Sequence, residues 1–394
     1  MFSWTYNEKA LQADPGANNG RPYQRCTRTV MDTIADPDVQ FDEEGVSQYF
    51  YKYREVAKQQ LFFGAEGQKK IEAMIAELKA NQKGKYDCVI GLSGGVDSTY
   101  LVYKAKEWGL NPLVVHFDYG WNLELAVQNI ERTLKYAGFE LYTHVMNWED
   151  FKQLQRAYFK AGVLDLDVPA DHLIFAALNM VCRKFNIKYV LKGFNVQSEA
   201  ILPRTWNYHG KFDLMNLQDI YAQYGPGRRI KNLPKLGIWQ RIYYDRVFRL
   251  RSFTPLNYFD YDKTLSKQEL IEKVGWVDYG GKHFENVFTR FYQGYILPTR
   301  FHIDKRKAHL STLICSGQMT REEALAELEK PPYDLKLMEE DYNYVSKKLD
   351  FTPAEFDAVL RGPIRKHSEF REEAKLHALL SKLTRPFLGK KNNP

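Results

Sequence analysis

The residues best suited to chemistry stand together at 93–98: Ser93-Gly94-Gly95-Val96-Asp97-Ser98. Two adjacent glycines let the backbone turn tightly and bring its N–H groups against a ligand. The helical pattern that begins at once adds unpaired N-terminal N–H groups and the positive end of a helix dipole. Ser93 and Ser98 supply hydroxyl donors, and Asp97 is suited to a Mg²⁺ already bound to phosphate. Together they make a phosphate cradle. It is not a Walker loop, because no Gly-Lys-Ser/Thr follows at the required spacing.

The SGGxDS pattern resembles the PP-loop of the ATP pyrophosphatase superfamily, whose members split ATP into AMP and pyrophosphate. A second segment, Gly193-Phe194-Asn195-Val196-Gln197-Ser198-Glu199, resembles the G-x-N-x-x-S-E loop of ammonia-dependent synthetases in that superfamily, such as NAD synthetase. The resemblance implies that Glu199 completes a Mg²⁺ site with Asp97, and Mg²⁺ does favour one or two carboxylates plus phosphate oxygens. The alternative is a polar loop with Glu199 in water. In Val115-His116-Phe117-Asp118, backbone groups of His116 and Phe117 are expected beside adenine, with Asp118 accepting from a ribose hydroxyl. An aspartate at a strand end also serves as a helix cap.

Two C-terminal stretches are dense in polar chemistry. Gly280-Gly281-Lys282-His283-Phe284-Glu285, continuing to Arg290, suits recognition of a sugar or carboxylate through Lys282, His283, Glu285 and Arg290. Asp304-Lys305-Arg306-Lys307-Ala308-His309 offers Lys305 and Arg306 to neutralise departing pyrophosphate or to bind a nucleotide-sugar diphosphate. Taken alone, such charged runs are more often solvated helix faces.

The elements that must position these groups alternate from residue 85 onward. Strand 86–92 precedes a helix 98–108, strand 113–117 a helix 123–137, and strand 140–145 helices near 148–160 and 170–185; strand 188–191 follows. That order predicts a doubly wound parallel α/β sheet, with Ser93, Asp118 and Gly193 at carboxyl ends of strands, where ligands of such sheets bind. Upstream, residues 25–62 read as irregular and aromatic-rich, and a helix fits 65–80 through Ile71, Met74, Ile75 and Leu78. Residues 200–260 read as loop-rich and basic (Arg228, Arg229, Lys231, Lys235), and 261–394 as mainly helical, including 321–328, with a basic tail from Lys382. The expected division is 1–82 as an N-terminal extension, 83–260 as the ATP-binding domain and 261–394 as a helical substrate-binding region.

Composition narrows the partners. The 394 residues carry 44% hydrophobic and 27% charged residues and a formal charge of +7, which suits an anionic substrate but is too modest to argue for nucleic acid. Four scattered cysteines, without a CxxC pair, specify neither a disulfide framework nor a metal site. No apolar run approaches the ~20 residues of a membrane span, and the N-terminus lacks signal-peptide features; a cytosolic protein is expected.

SGGVDS, GWVDYGGKHFENVFTRFYQGYILP and DKRKAHLSTLICSGQMTREEAL together resemble the WbpG-type N-acetyl sugar amidotransferases of bacterial O-antigen and flagellin-sugar biosynthesis, from about Arg25 to about Leu328. That resemblance implies conversion of a sugar acetamido group to an acetamidino group, using ATP, Mg²⁺ and ammonia. In the family, ammonia comes from separate proteins resembling the two subunits of imidazole glycerol phosphate synthase. The chain itself shows no glutaminase, since position 2 is Phe and no cysteine sits in a glycine-flanked elbow. A homo-oligomer is compatible with all of this. The family's zinc-knuckle segment is degenerate here: Asp36–Gly45 is intact, but of four expected cysteines only Cys26 remains, with Thr29, Ser47 and Phe50 at the others. No zinc is expected, with packing by Tyr49, Phe50, Tyr51 and Tyr53 in its place. The competing readings are a PP-loop tRNA-modifying enzyme, either a thiolase or a lysidine synthetase, and a non-catalytic nucleotide-binding scaffold of a sugar-biosynthesis complex.

Overall fold

Five parallel strands form one sheet in the order β3-β2-β1-β4-β5: β1 is Val89–Gly91, β2 Leu113–Asp118, β3 Glu140–Val145, β4 Tyr189–Leu191 and β5 Arg251–Phe253. The computed structural model describes residues 6–14, 16, 20–208, 210–227, 230–281, 284–374 and 376. Arg228, Arg229, Lys282, His283 and the tail from Lys382 lie outside the described residues.

Alternation along the strands decides which core each side chain enters. Val89, Leu113, Val115, Phe117 and Val190 point into one core, while Ile90, Val114, Tyr189 and Leu191 point into the other. Helices Trp148–Ala161 and Val168–Lys184, with Phe288, Phe291 and Tyr292 from the C-terminal half, fill the first. Helices Gly64–Ala80, Val96–Glu107, Glu124–Ala137 and Lys263–Val274 cover the second. The central strands are thus buried on both faces, which explains their continuous apolar runs. The sheet is doubly wound, as expected. Residues from all three expected segments share the second core.

Two elements differ from the expectation. β5 lies within the stretch read as loop; its three residues are largely exposed at the sheet edge and too few to show a period. The helix Gln48–Gln60 lies within the stretch read as irregular; it fully buries only Tyr49 and Tyr53, with Val56 and Ala57 packed partly against the core.

The chain runs outward from β1 to β2 and β3, then crosses back to β4. The connections therefore diverge between β1 and β4, which opens a crevice at their carboxyl ends. Residues 93–98 and Gly193 occupy that crevice.

Around Cys26 two turns face each other. The Cys26 Sγ accepts N–H groups from Arg28, Thr29 and Ser47 at 3.4, 3.3 and 3.2 Å. Burial would raise the thiol's pKa, but hydrogen bonds from Ser47, Thr29 and Arg28 outweigh it and lower it. One thiol with the neighbouring Thr29 and Ser47 hydroxyls does not fit structural zinc, which needs four good ligands. Among the described residues no group of three or more His, Cys, Asp or Glu side chains is arranged to hold a metal. Of the four aromatic residues expected to support this segment, Tyr49 and Tyr53 are buried and Tyr51 is exposed. Ties to the C-terminal half supply the rest. The fully buried Lys307 ammonium pairs with Asp32, and Arg321 donates to the carbonyls of Cys26 and Thr29 at 3.0 and 3.2 Å. No helix among the described residues is long and apolar enough to cross a membrane.

Candidate functional site

The cradle is built by close approach of backbone. Gly94 has φ +86°, and a Cβ there would stand 2.5 Å from the Ala126 carbonyl oxygen, so only glycine fits both the conformation and the space. A Cβ on Gly193 would press on the backbone of Asp97 and Ser98 at 3.3 Å, so the loop after β4 rests directly on the cradle. The Trp276 indole N–H donates to the Gly94 carbonyl at 2.9 Å and pins the turn from the far side. Inside the turn, Ser93 Oγ and Ser98 Oγ lie 3.1 Å apart, and Ser93 Oγ accepts the Gly95 N–H at 3.2 Å. The helix Val96–Glu107 then points its N-terminus into the crevice, with Asp97 in its first turn.

A cavity of about 440 Å³ opens over this turn. Ser93, Gly95, Asp97, Ser98, Gly193 and Glu199 line it, and so does Glu285 of the C-terminal half. The structure therefore brings together the residues of the Ser93–Ser98 turn, both expected Mg²⁺ carboxylates and one expected substrate contact.

Sequence reasoning missed the groups that hold Asp97. Its Oδ1 accepts the Tyr261 hydroxyl at 2.6 Å and the Asn195 amide at 3.2 Å, and its Oδ2 lies 3.1 Å from the Lys263 ammonium. Burial by itself would lower the Lys263 pKa, yet Asp97, Glu199 and Glu285 outweigh it and raise it. Burial and the Asp97 carboxylate push the Tyr261 phenol well up. Lys263 is the first residue of the helix Lys263–Val274, where a cation opposes the dipole. That misfit was the readable signal. Gln318 fixes the geometry: it accepts the Lys263 N–H at 3.2 Å and donates to the Tyr261 carbonyl at 3.0 Å. An ammonium among Asp97, Glu199 and Glu285 marks a locus that attracts cations. Two carboxylates there, with phosphate oxygens, fit Mg²⁺.

The other expected site residues separate. His116, Phe117 and Asp118 end β2 beside the cradle, but none lines the cavity. His116 is buried between the Leu92 carbonyl and the Asn122 amide, and burial lowers its pKa. Asp118 Oδ1 accepts the Gly120 N–H at 3.0 Å, so it caps a turn.

Arg290 and Arg306 are corrections. Arg290 is buried in a two-pronged pair with Asp341 at 2.7 and 2.8 Å, which ties helix Val287–Phe291 to helix Leu335–Lys348. Arg306 grips Asp304 and donates to the Glu327 and Lys330 carbonyls at 3.1 and 2.8 Å, closing the end of helix Arg321–Glu329. Their charge is consumed by structure, which spacing alone does not reveal. Lys305 does not line the cavity over the cradle either; burial lowers its pKa against the opposing pull of the Asp167, Asp165 and Asp171 charges.

Residues 285–384 match the family model described as LPS biosynthesis protein WbpG-like, C-terminal domain. An uncharacterized protein of Methanocaldococcus jannaschii is 24% identical over 284 residues, 69% of this chain and 82% of that protein. Among solved structures, NMN synthetase from Francisella tularensis is 15% identical with a TM-score of 0.29, covering 55% of this chain and 98% of its own. The U34-tRNA thiolase NcsA from Methanococcus maripaludis, solved with its [4Fe-4S] cluster, is 11% identical with a TM-score of 0.30, covering 86% of both chains.

Proposed function

We propose, from the Ser93–Ser98 turn and the match of residues 285–384 to the WbpG-like C-terminal domain model, that the chain is an ATP-dependent N-acetyl sugar amidotransferase of bacterial surface-polysaccharide synthesis. One observation carries the reading. Glu285, His309, Leu313, Gln318 and Met319, all within the matched segment, line the same cavity as the cradle. The part that resembles a sugar-processing family therefore faces the part suited to ATP.

In the proposed reaction the acceptor's amide oxygen attacks the α-phosphorus of ATP and pyrophosphate leaves, giving an O-adenylyl imidate. Ammonia then attacks the imidate carbon and expels AMP, leaving an acetamidino group. The first step answers a chemical need, because an amide oxygen is a poor leaving group until adenylylated. The chain's own work is positioning and charge neutralisation. The Ser93 and Ser98 hydroxyls and the N–H groups of the turn orient the phosphates, and Lys263 brings an ammonium to them. Mg²⁺, held by Asp97 and Glu199, would neutralise charge on the departing pyrophosphate.

No protein nucleophile is needed. Cys88 and Cys182 are buried, and burial pushes both thiols up, Cys182 to about 12. That disfavours a thiolase that would rely on them. Ammonia is proposed to come from a separate glutaminase and its channel protein; full glutamine-dependent activity of the isolated chain would exclude that need.

The test incubates the protein with ATP, Mg²⁺, ammonia and a panel of UDP-acetamido sugars, with bulk tRNA in parallel. Pyrophosphate release that requires an acetamido sugar, with an acetamidino product by mass spectrometry, is expected. Release driven by tRNA instead would replace the reading, and no release with any acceptor would favour a scaffold.

A further inference from the structure

The two edges of the sheet are finished differently. β5 closes one side with three residues, and its Arg251 reaches Glu77 of the helix Gly64–Ala80 at 2.8 Å. β3 closes the other with six, Glu140-Leu141-Tyr142-Thr143-His144-Val145, paired in continuous register to Leu113–Asp118. It has no Pro, no Lys and no bulge, the devices that blunt an edge. Among the described residues β2 is its one ladder partner. Such an edge offers a row of outward N–H and C=O groups to a further strand.

The side chains point the same way. Leu141, Thr143 and Val145 share one face of the strand, and Leu141 and Val145 are 41% and 67% exposed. Tyr142 and His144 lie on the other face and are half-buried, Tyr142 edge-on to the Phe185 ring at 5.5 Å.

A second β3 matches this edge. A two-fold axis perpendicular to a sheet keeps each face on its own side, so in the antiparallel pair it generates each residue meets one of the same face. With the axis at Thr143, Leu141 meets Val145 of the second copy and Val145 meets Leu141, while Tyr142 meets His144. Moving the axis to Tyr142 or His144 sets Leu141 or Val145 against Thr143 instead. No like charges oppose one another. Glu140, the strand's one carboxylate, falls opposite Met146 and pairs with Lys85 of its own chain. Burial, and then the Lys184 charge, hold His144 toward its neutral form.

We propose that two chains join through β3, antiparallel about a two-fold axis at Thr143, so that their five-stranded sheets run on into one of ten strands. Because the paired strands run oppositely, the two crevices over the cradles open at opposite ends of the dimer, and each is built from a single chain.

Sedimentation velocity tests the pairing. An interface of this size belongs to the weak end of the range, so the chain should be monomeric near about 1 µM and mostly dimeric near about 100 µM. Val145→Lys, a change at an exposed position, should weaken association by about tenfold or more while melting temperature and ATP affinity stay as in the native protein. Thr143→Cys, set on the axis, should give a disulfide-linked dimer on mild oxidation, because directly opposed residues of an antiparallel pair lie at separations a disulfide spans. Val145→Cys, which faces Leu141 of the second copy, should not. A native chain still monomeric near about 100 µM overturns the proposal. So does a dimer that Val145→Lys leaves intact, or one that Thr143→Cys links no better than Val145→Cys.

Discussion

Replacing Lys263 by Met probes the heart of the site. The ammonium stands 3.1 Å from Asp97 Oδ2, with both side chains about one-fifth exposed at 21% and 20%. At that distance the bare attraction is about 5 kcal/mol for an effective dielectric near 20. Desolvation offsets most of it, and a hydrogen bond to a charged group is worth about 1.5–3 kcal/mol net. A divalent ion arriving without nucleotide must displace this ammonium. Lys263→Met should therefore tighten Mn²⁺ binding to the nucleotide-free protein by about tenfold to a hundredfold. The same change removes a cation from the phosphates, so kcat/KM for ATP should fall by a similar factor. Electron paramagnetic resonance titration of Mn²⁺ reads the first effect and pyrophosphate release the second. A folded variant whose Mn²⁺ affinity is unchanged or weaker would refute the view that Lys263 stands at the metal locus.

Three further outcomes follow from named contacts. Burial first, then Asp171, raises the Asp167 pKa from 3.8 to about 6, so the stability of its protonated form is full below pH ~4 and lost as pH rises through ~6. Asp167→Asn should thus be more stable than the native protein at pH 8, by up to about 3 kcal/mol, and no more stable at pH 4; an equal difference by calorimetry at both pH values would contradict this. Gly94→Ala meets both the positive φ and the Ala126 carbonyl, and should cost about 2 kcal/mol or more and abolish ATP binding by titration. Arg290→Met leaves the buried Asp341 carboxylate unpaired and should cost about 3–5 kcal/mol in denaturant unfolding, while the folded fraction keeps its KM for the acceptor. A raised KM with stability intact would restore Arg290 to the substrate site.

The sequence was legible where chemistry and periodicity coincide. The cradle turn and the parallel, doubly wound sheet follow from local pattern, because a phosphate turn and a buried strand are written in consecutive residues. The partners of Asp97 were not legible, since Tyr261 and Lys263 reach it from 164 and 166 positions away. The fates of Arg290 and Arg306 were hidden for the same reason: a basic residue has one appearance in sequence whether it faces a ligand or a distant carboxylate. Cys26 is a further case. Its Sγ accepts three backbone N–H groups, from Arg28, Thr29 and Ser47, a set of contacts that the spacing of four scattered cysteines does not reveal.

The central claim, that the acceptor's own amide oxygen is adenylylated, has a direct measurement. An acetamido sugar isotopically labelled at the amide oxygen is turned over with ATP and ammonia, and the AMP is analysed by mass spectrometry. The account predicts that the label appears in the AMP phosphate, one labelled oxygen per acetamidino group formed. Unlabelled AMP alongside the same product would contradict it, because the oxygen would then have left by another route.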